Sequence, residues 1–354
     1  MAVQRKVEEY DILRVIATLL VLIGHCGYYH ILTPYGQCDY SYLAENISIL
    51  YKLFLYIVKV IYEFHMPLFM ALSGAVFKLN QDKSSNQTFA QHTNKKARRL
   101  MVPFFIVSLC YAVPLKYVSG YFSSSEHFIR DILVGQIMIQ GNTHLWYLPV
   151  LFIIFLIAFF VQPIFEKHFV FLLILMAIIN CISVMIEIIA LQLVMRYILW
   201  FFAGYLFEKY RKKLNGMIRG WYVPVLLFFL LGFSAIQLFV QKYEMNILAS
   251  VLMIPSACCG CALAYCVSWL CFKYTKVTKL KSYQIMSRDT FGCYLYSDAL
   301  NYPILAAFAN MFQTRMFTDH TLVVLLILTR LTVTLIVSVV IAELFRKLKC
   351  RYII

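Results

Sequence analysis

The chain has 354 residues, of which 62% are hydrophobic and only 14% charged. That balance excludes a soluble globular enzyme of this size, whose surface needs far more polar area, and points to a polytopic membrane protein. The net charge of +15 would suit a nucleic-acid binder, but the lysines and arginines sit in short stretches between apolar runs. Cytoplasmic loops have that distribution under the positive-inside rule, so membrane lipids and not nucleic acid are the expected surroundings.

The first apolar run, near residues 10–31, is long enough to span a bilayer and no small-residue cleavage site follows it. It is therefore expected to stay as a first span and not to leave as a signal peptide. It carries Arg14 and His25, eleven positions apart. Eleven residues are about three helical turns, which puts both side chains on one face, roughly 16 Å apart along the axis. An ionisable group in such a segment marks a functional site by default, because an unpaired charge in hydrocarbon costs several kcal/mol. The plainer readings are a snorkelling arginine and a hydrogen-bonded packing histidine. Asp11 precedes Arg14 by three residues and can pair with it. A neutral histidine at the depth of His25 has the chemistry of a general base.

Residues 48–61 are apolar but interrupted by Lys52 and Lys59, so this stretch either extends the next helix or lies on the membrane surface. The second run, 62–78, contains Glu63, His65 and the small pair Ser73 and Gly74. Running inward, it places His65 at a depth like that of His25, so that the two histidines would face a common cavity. The small pair suits close approach of a narrow ligand or, equally, of a neighbouring helix. Lys95, Lys96, Arg98 and Arg99 precede the third run, 100–119. Positive-inside topology and phosphate recognition both account for such a cluster.

The fourth run, 144–163, opens with His144, Trp146 and Tyr147. The two aromatic rings suit an interfacial belt, and the histidine beside them could line an outer cavity mouth and contact a sugar-like acceptor. Further runs lie near 169–187, 190–207, 221–240, 246–272, 289–312 and 321–345. Arg196 and Arg330 are embedded in two of them, with Glu187 and Asp298 as conceivable partners. With the N-terminus inside, the clusters at Lys95–Arg99, Lys209–Lys213, Lys273–Lys281 and Arg346–Arg351 all become cytoplasmic. Segments 32–47, 120–143, 241–245 and 313–320 then fall outside. The expected fold is an all-α polytopic membrane bundle of about ten transmembrane helices, with both termini cytoplasmic and one membrane domain over 1–354. The 11 cysteines lie mostly in apolar runs, without paired CxxC motifs or clustered histidines, so packing roles and no metal site are expected.

Taken in order, these motifs resemble the acyltransferase-3 family of bacterial integral-membrane acyltransferases. They are Asp11 and Arg14 with His25, Phe64-His65-Met66-Pro67-Leu68-Phe69 with Ser73 and Gly74, the run ending in Arg98 and Arg99 before Pro103, and His144-Leu145-Trp146-Tyr147. The resemblance covers most of the chain. It implies a bacterial inner-membrane enzyme that takes an acyl group, most often acetyl, from cytoplasmic acyl-coenzyme A to a hydroxyl of a cell-surface or lipid-linked glycan. Acyl-coenzyme A is then a donor substrate, and no permanently bound cofactor is expected. Arg14 and His25 match the family's essential residues of the first span, and Arg98 or Arg99 its basic pair. On this reading His25 removes the proton of the acceptor hydroxyl or first accepts the acyl group itself, and Asp11 and His65 assist catalysis. Lys95, Lys96 and Ser73 join the donor site, and Glu63, His144, Trp146 and Tyr147 the acceptor site.

Two departures stand out. Many relatives have a histidine near Ser297, which this chain lacks, and some continue into a hydrolase-like domain, whereas this sequence ends at Ile354. Transfer is thus expected to finish within the membrane domain or with a partner. A polysaccharide or lipid-linked sugar exporter is the competing reading, since embedded histidines and arginines also line transport routes, but no clear inverted repeat supports it. A glycan polymerase would call for a larger external loop than 120–143.

Overall fold

A computed structural model describes residues 7–81, 87–142, 144–218, 221–240 and 247–350. The expected outer segment 241–245, along with Thr143, Arg351 and Ile354, lies outside the described residues. The chain is overwhelmingly helical. Its long helices are α1 (Glu8–His25), α2 (Ile49–Leu79), α3 (Phe89–Val118), α4 (Tyr147–Ile182), α5 (Ile189–Ile218), α6 (Tyr222–Val240), α7 (Ile247–Tyr274), α8 (Lys281–Phe312) and α9 (His320–Lys347). Among the described residues, six are long and apolar enough to cross a membrane: α2, α3, α4, α5, α7 and α9. Helices α1 and α8 are not among them: α1 carries Glu8, Glu9, Asp11 and Arg14 within its eighteen residues, and α8 carries the buried polar residues Asp289, Asp298 and Asn301.

Residues 49–61 form one continuous helix with 62–79, so this stretch extends the second helix despite Lys52 and Lys59. The runs 144–163 and 169–187 join in α4, broken at His168, where φ −127° and ψ 39° leave the helical region. In α3, residues Ser108–Ala112 form a π-helical stretch immediately before Pro114. Proline has no N–H and its ring crowds the carbonyl four residues back, so the preceding turn widens.

The all-helical expectation misses one element. Residues 30–39 form an antiparallel hairpin, β1 (His30–Thr33) and β2 (Gly36–Asp39), pairing His30 with Asp39 and Thr33 with Gly36. The turn reads Thr33-Pro34-Tyr35-Gly36, with proline presetting the bend. Gly36 has φ +146°, and a Cβ there would lie 2.2 Å from Tyr121 Cε1, so only glycine fits.

The chain divides into two compact units interleaved along the sequence. The first comprises Met1–Ala17, Tyr62–Lys95 and Val150–Ser287. In it α2 and α5 cross at glycines: a Cβ on Gly74 would lie 1.8 Å from the Phe201 carbonyl oxygen, and one on Gly204 1.8 Å from that of Ala71. Gly74 therefore serves close helix packing, with Ser73 beside it in sequence. The second unit comprises Thr18–Ile61, Lys96–Pro149 and Arg288–Ile354. Its apolar core, built from Tyr51, Tyr121, Phe122, Tyr302, Leu305, Phe317 and Leu326, includes Cys38 of the hairpin.

Candidate active site

His25 is the last residue of α1, and Asp298 lies in the middle of α8, in the second unit. The Asp298 carboxylate is 1% exposed and stands between two histidines. His25 Nδ1 is 2.5 Å from Asp298 Oδ1, and His144 Nδ1 is 2.9 Å from Oδ2. The two imidazole rings meet edge to face, 6.0 Å between centroids. A carboxylate only accepts hydrogen bonds, so a neutral His25 set against it would carry its proton on Nδ1 and its lone pair on Nε2. That is the tautomer a general base requires, held by a buried acid.

The loop that presents His144 is fixed on several sides. Tyr294 Oη donates to the His144 carbonyl oxygen at 2.5 Å, one turn before Asp298 on α8. Asn142 Oδ1 accepts from Leu145 N at 3.1 Å, while its Nδ2 donates to Gln136 O at 3.1 Å and to Ser108 Oγ at 3.3 Å. Ser108 opens the π-helical stretch of α3, so the Asn142 amide joins that stretch to the residue after His144. His144 Nε2 faces the Leu295 carbonyl at 3.4 Å. The histidine expected at a cavity mouth is instead buried on the acid, and Tyr147 is buried against Tyr294, 5.6 Å between ring centroids, where an interfacial belt was expected.

A family model described as an acyltransferase domain, that of acyltransferase-3, matches residues 7–343. The chain belongs to the acyltransferase-3 family. It is a multi-pass membrane acyltransferase, as the ordered motifs imply. No curated relative and no solved structure matches it.

In this acyltransferase, Asp298 was legible in the sequence only as a conceivable partner of an embedded arginine, and its place between two histidines was not. It was a candidate for Arg330, yet Arg330 bonds the Asn301 side chain and two backbone carbonyls, and Asp298 takes the histidines. Lys116 was missed altogether. It is 1% exposed, donates to Gln136 Oε1 at 2.9 Å and lies over the rings of Tyr121 and Tyr302 at 4.7 and 5.0 Å. A lysine inside the apolar run 100–119 was the available signal.

The remaining candidates fall in both units. In the first, Arg14 pairs with Asp11 at 3.3 Å, as the three-residue spacing predicts. His65 is buried there with its ring edge-on to Tyr62, and Ser73 is half-buried at the glycine crossing. Glu63 Oε2 accepts from Gln237 Nε2 at 2.6 Å and Ser256 Oγ at 2.7 Å, joining α2, α6 and α7. Lys95 ends this unit's stretch of α3 and is exposed. In the second unit, Lys96 is half-buried, Arg98 and Arg99 are exposed, and Arg98 forms no ion pair among the described residues. Trp146 is half-buried beside Tyr147. Arg196 forms no ion pair with Glu187 or any other acid among the described residues. No group of three or more histidine, cysteine or acidic side chains that could hold a metal ion occurs among the described residues.

Proposed function

We propose that this acyltransferase moves an acetyl group from cytoplasmic acetyl-coenzyme A to a hydroxyl of a cell-surface or lipid-linked glycan in the bacterial inner membrane, with His25 as the general base. The observation that carries the reading is the 2.5 Å contact of His25 Nδ1 with the buried Asp298 carboxylate. It fixes the tautomer, holds the ring, and stabilises the imidazolium that forms when Nε2 takes a proton.

The chemistry balances with these groups alone. As His25 Nε2 removes the acceptor hydroxyl proton, the oxygen attacks the thioester carbonyl. The tetrahedral intermediate then expels the coenzyme A thiolate, which takes the proton back from His25. An ester bond forms, a thioester bond breaks, and the base is regenerated. On the donor side, the exposed guanidinium of Arg98 and its neighbour Arg99, with Lys95 and Lys96 beside them in sequence, suit multiply charged phosphate oxygens. The pantetheine arm would extend from there toward His25.

Mass spectrometry of surface polysaccharide tests this reading. Cells with the native chain are expected to carry an acetyl increment that is missing when the same amount of His25→Ala protein replaces it. An undiminished increment in the variant would sink the assignment of His25.

A further inference from the structure

Arg330 of α9 is 0% exposed and forms no ion pair among the described residues. Each of its three guanidinium nitrogens nonetheless donates a hydrogen bond. Nη2 donates to the His25 carbonyl oxygen at 2.9 Å, Nη1 to the Tyr28 carbonyl oxygen at 2.9 Å, and Nε to Asn301 Oδ1 at 2.8 Å. The fork also lies over the Tyr28 ring, 4.9 Å from its centroid.

Two features of those contacts bear on the reaction. The last carbonyls of a helix have no partner inside it, and a cation at that end complements the helix dipole. His25 is the terminal residue of α1, so its carbonyl is one of these orphans, and the arginine satisfies it. Asn301 follows Asp298 by three residues, which puts both on one face of α8. One rigid fork therefore grips the backbone of the base and the helix face that carries its acid. Lysine has the charge but not this planar, divergent donor set.

The geometry points to Arg330 as a positioning residue: by tying the end of α1 to Asn301 it holds His25 in register with Asp298. The inference rests on the reading of His25 as the base. A role confined to packing would lower the amount of folded protein. A positioning role lowers turnover in protein that is folded, and it acts through Asp298.

The test uses membranes containing the full chain, with radiolabelled acetyl-coenzyme A as donor and the cell envelope of the expressing strain as acceptor source. R330K and N301A are compared with the native chain at matched protein levels. Misplacing a reacting group by about 1 Å costs on the order of a hundredfold, so kcat is expected to fall roughly 30- to 100-fold in R330K with the KM for acetyl-coenzyme A unchanged. N301A should fall in the same direction. In a D298N background, R330K should cost less than about a further twofold, because the register it protects is already without use. Near-native turnover of R330K, or a loss that multiplies in full on D298N, would overturn the inference. If R330K does not accumulate, N301A alone and on D298N is judged by the same criteria. Retained transfer in H25A defeats the parent reading and is scored separately.

Discussion

Asp298 links two histidines that lie on either side of a stretch of more than a hundred residues, His25 and His144. Each histidine is legible in the sequence as a polar group in or beside an apolar run, and so is the acid. Their partnership is not. Hydropathy fixes the depth of a side chain, whereas the rotation of one helix about its axis relative to another 270 positions along depends on packing. The same limit left Arg330 unpaired in the sequence, where Glu187 and Asp298 were conceivable partners, whereas its partners are a neutral amide and two carbonyls. Local pairs are read correctly because spacing alone decides them, as with Asp11 and Arg14.

The hairpin offers a residue-scale prediction. His30 Nδ1 lies 2.8 Å from Asp39 Oδ1, and Ser41 N donates to the same oxygen at 2.9 Å. These hydrogen bonds, His30 first, lower the Asp39 carboxyl from 3.8 to about 2. A lowered folded-state value means stability present above about pH 4 and lost as pH falls toward 2. Amide protection of Gln37 and Cys38 in hydrogen exchange is expected to fall across that window in the native chain. In Asp39→Asn it should be weaker at neutral pH and flat across the window. Identical profiles would remove the role given to this pair.

At the scale of elements, proline and glycine account for most departures from plain helices. Pro114 follows the widened turn that carries Ser108 to Asn142, and Thr33-Pro34-Tyr35-Gly36 makes the hairpin that the helical reading passed over. The turn signal was present in the sequence, but it sat inside a segment treated as a loop between spans. Helix α9 begins where Asp319 Oδ1 accepts from Thr321 N at 2.8 Å and Leu322 N at 3.2 Å, an ordinary N-cap. The crossing of α2 with α5 gives the element-scale prediction. A Cβ on Gly204 would lie 1.8 Å from the Ala71 carbonyl, a backbone atom that cannot swing away. Gly204→Val should therefore lower the Tm of the detergent-purified chain sharply, since forced overpacking costs about 1–3 kcal/mol or more. Gly216→Ala, where nothing lies within 4 Å, should leave Tm unchanged or slightly raised. Equal Tm values for Gly204→Val and the native chain would contradict the close crossing.

For the whole molecule, composition alone identifies a helical membrane protein, and the ordered motifs identify the family, which matches residues 7–343. Neither source names the acceptor, because the residues that distinguish one glycan from another follow no spacing rule. The proposed reaction is vectorial: with the basic clusters cytoplasmic, as the positive-inside rule expects, the donor would bind on that side and the acceptor would enter from the other. Sealed inside-out vesicles test this directly, because acetyl-coenzyme A does not cross a bilayer unaided. Vesicles carrying the native chain are expected to transfer label from external acetyl-coenzyme A to glycan, and vesicles carrying equal amounts of His25→Ala to transfer none above background. Label transferred equally by the variant, or by sealed right-side-out vesicles, would contradict the account.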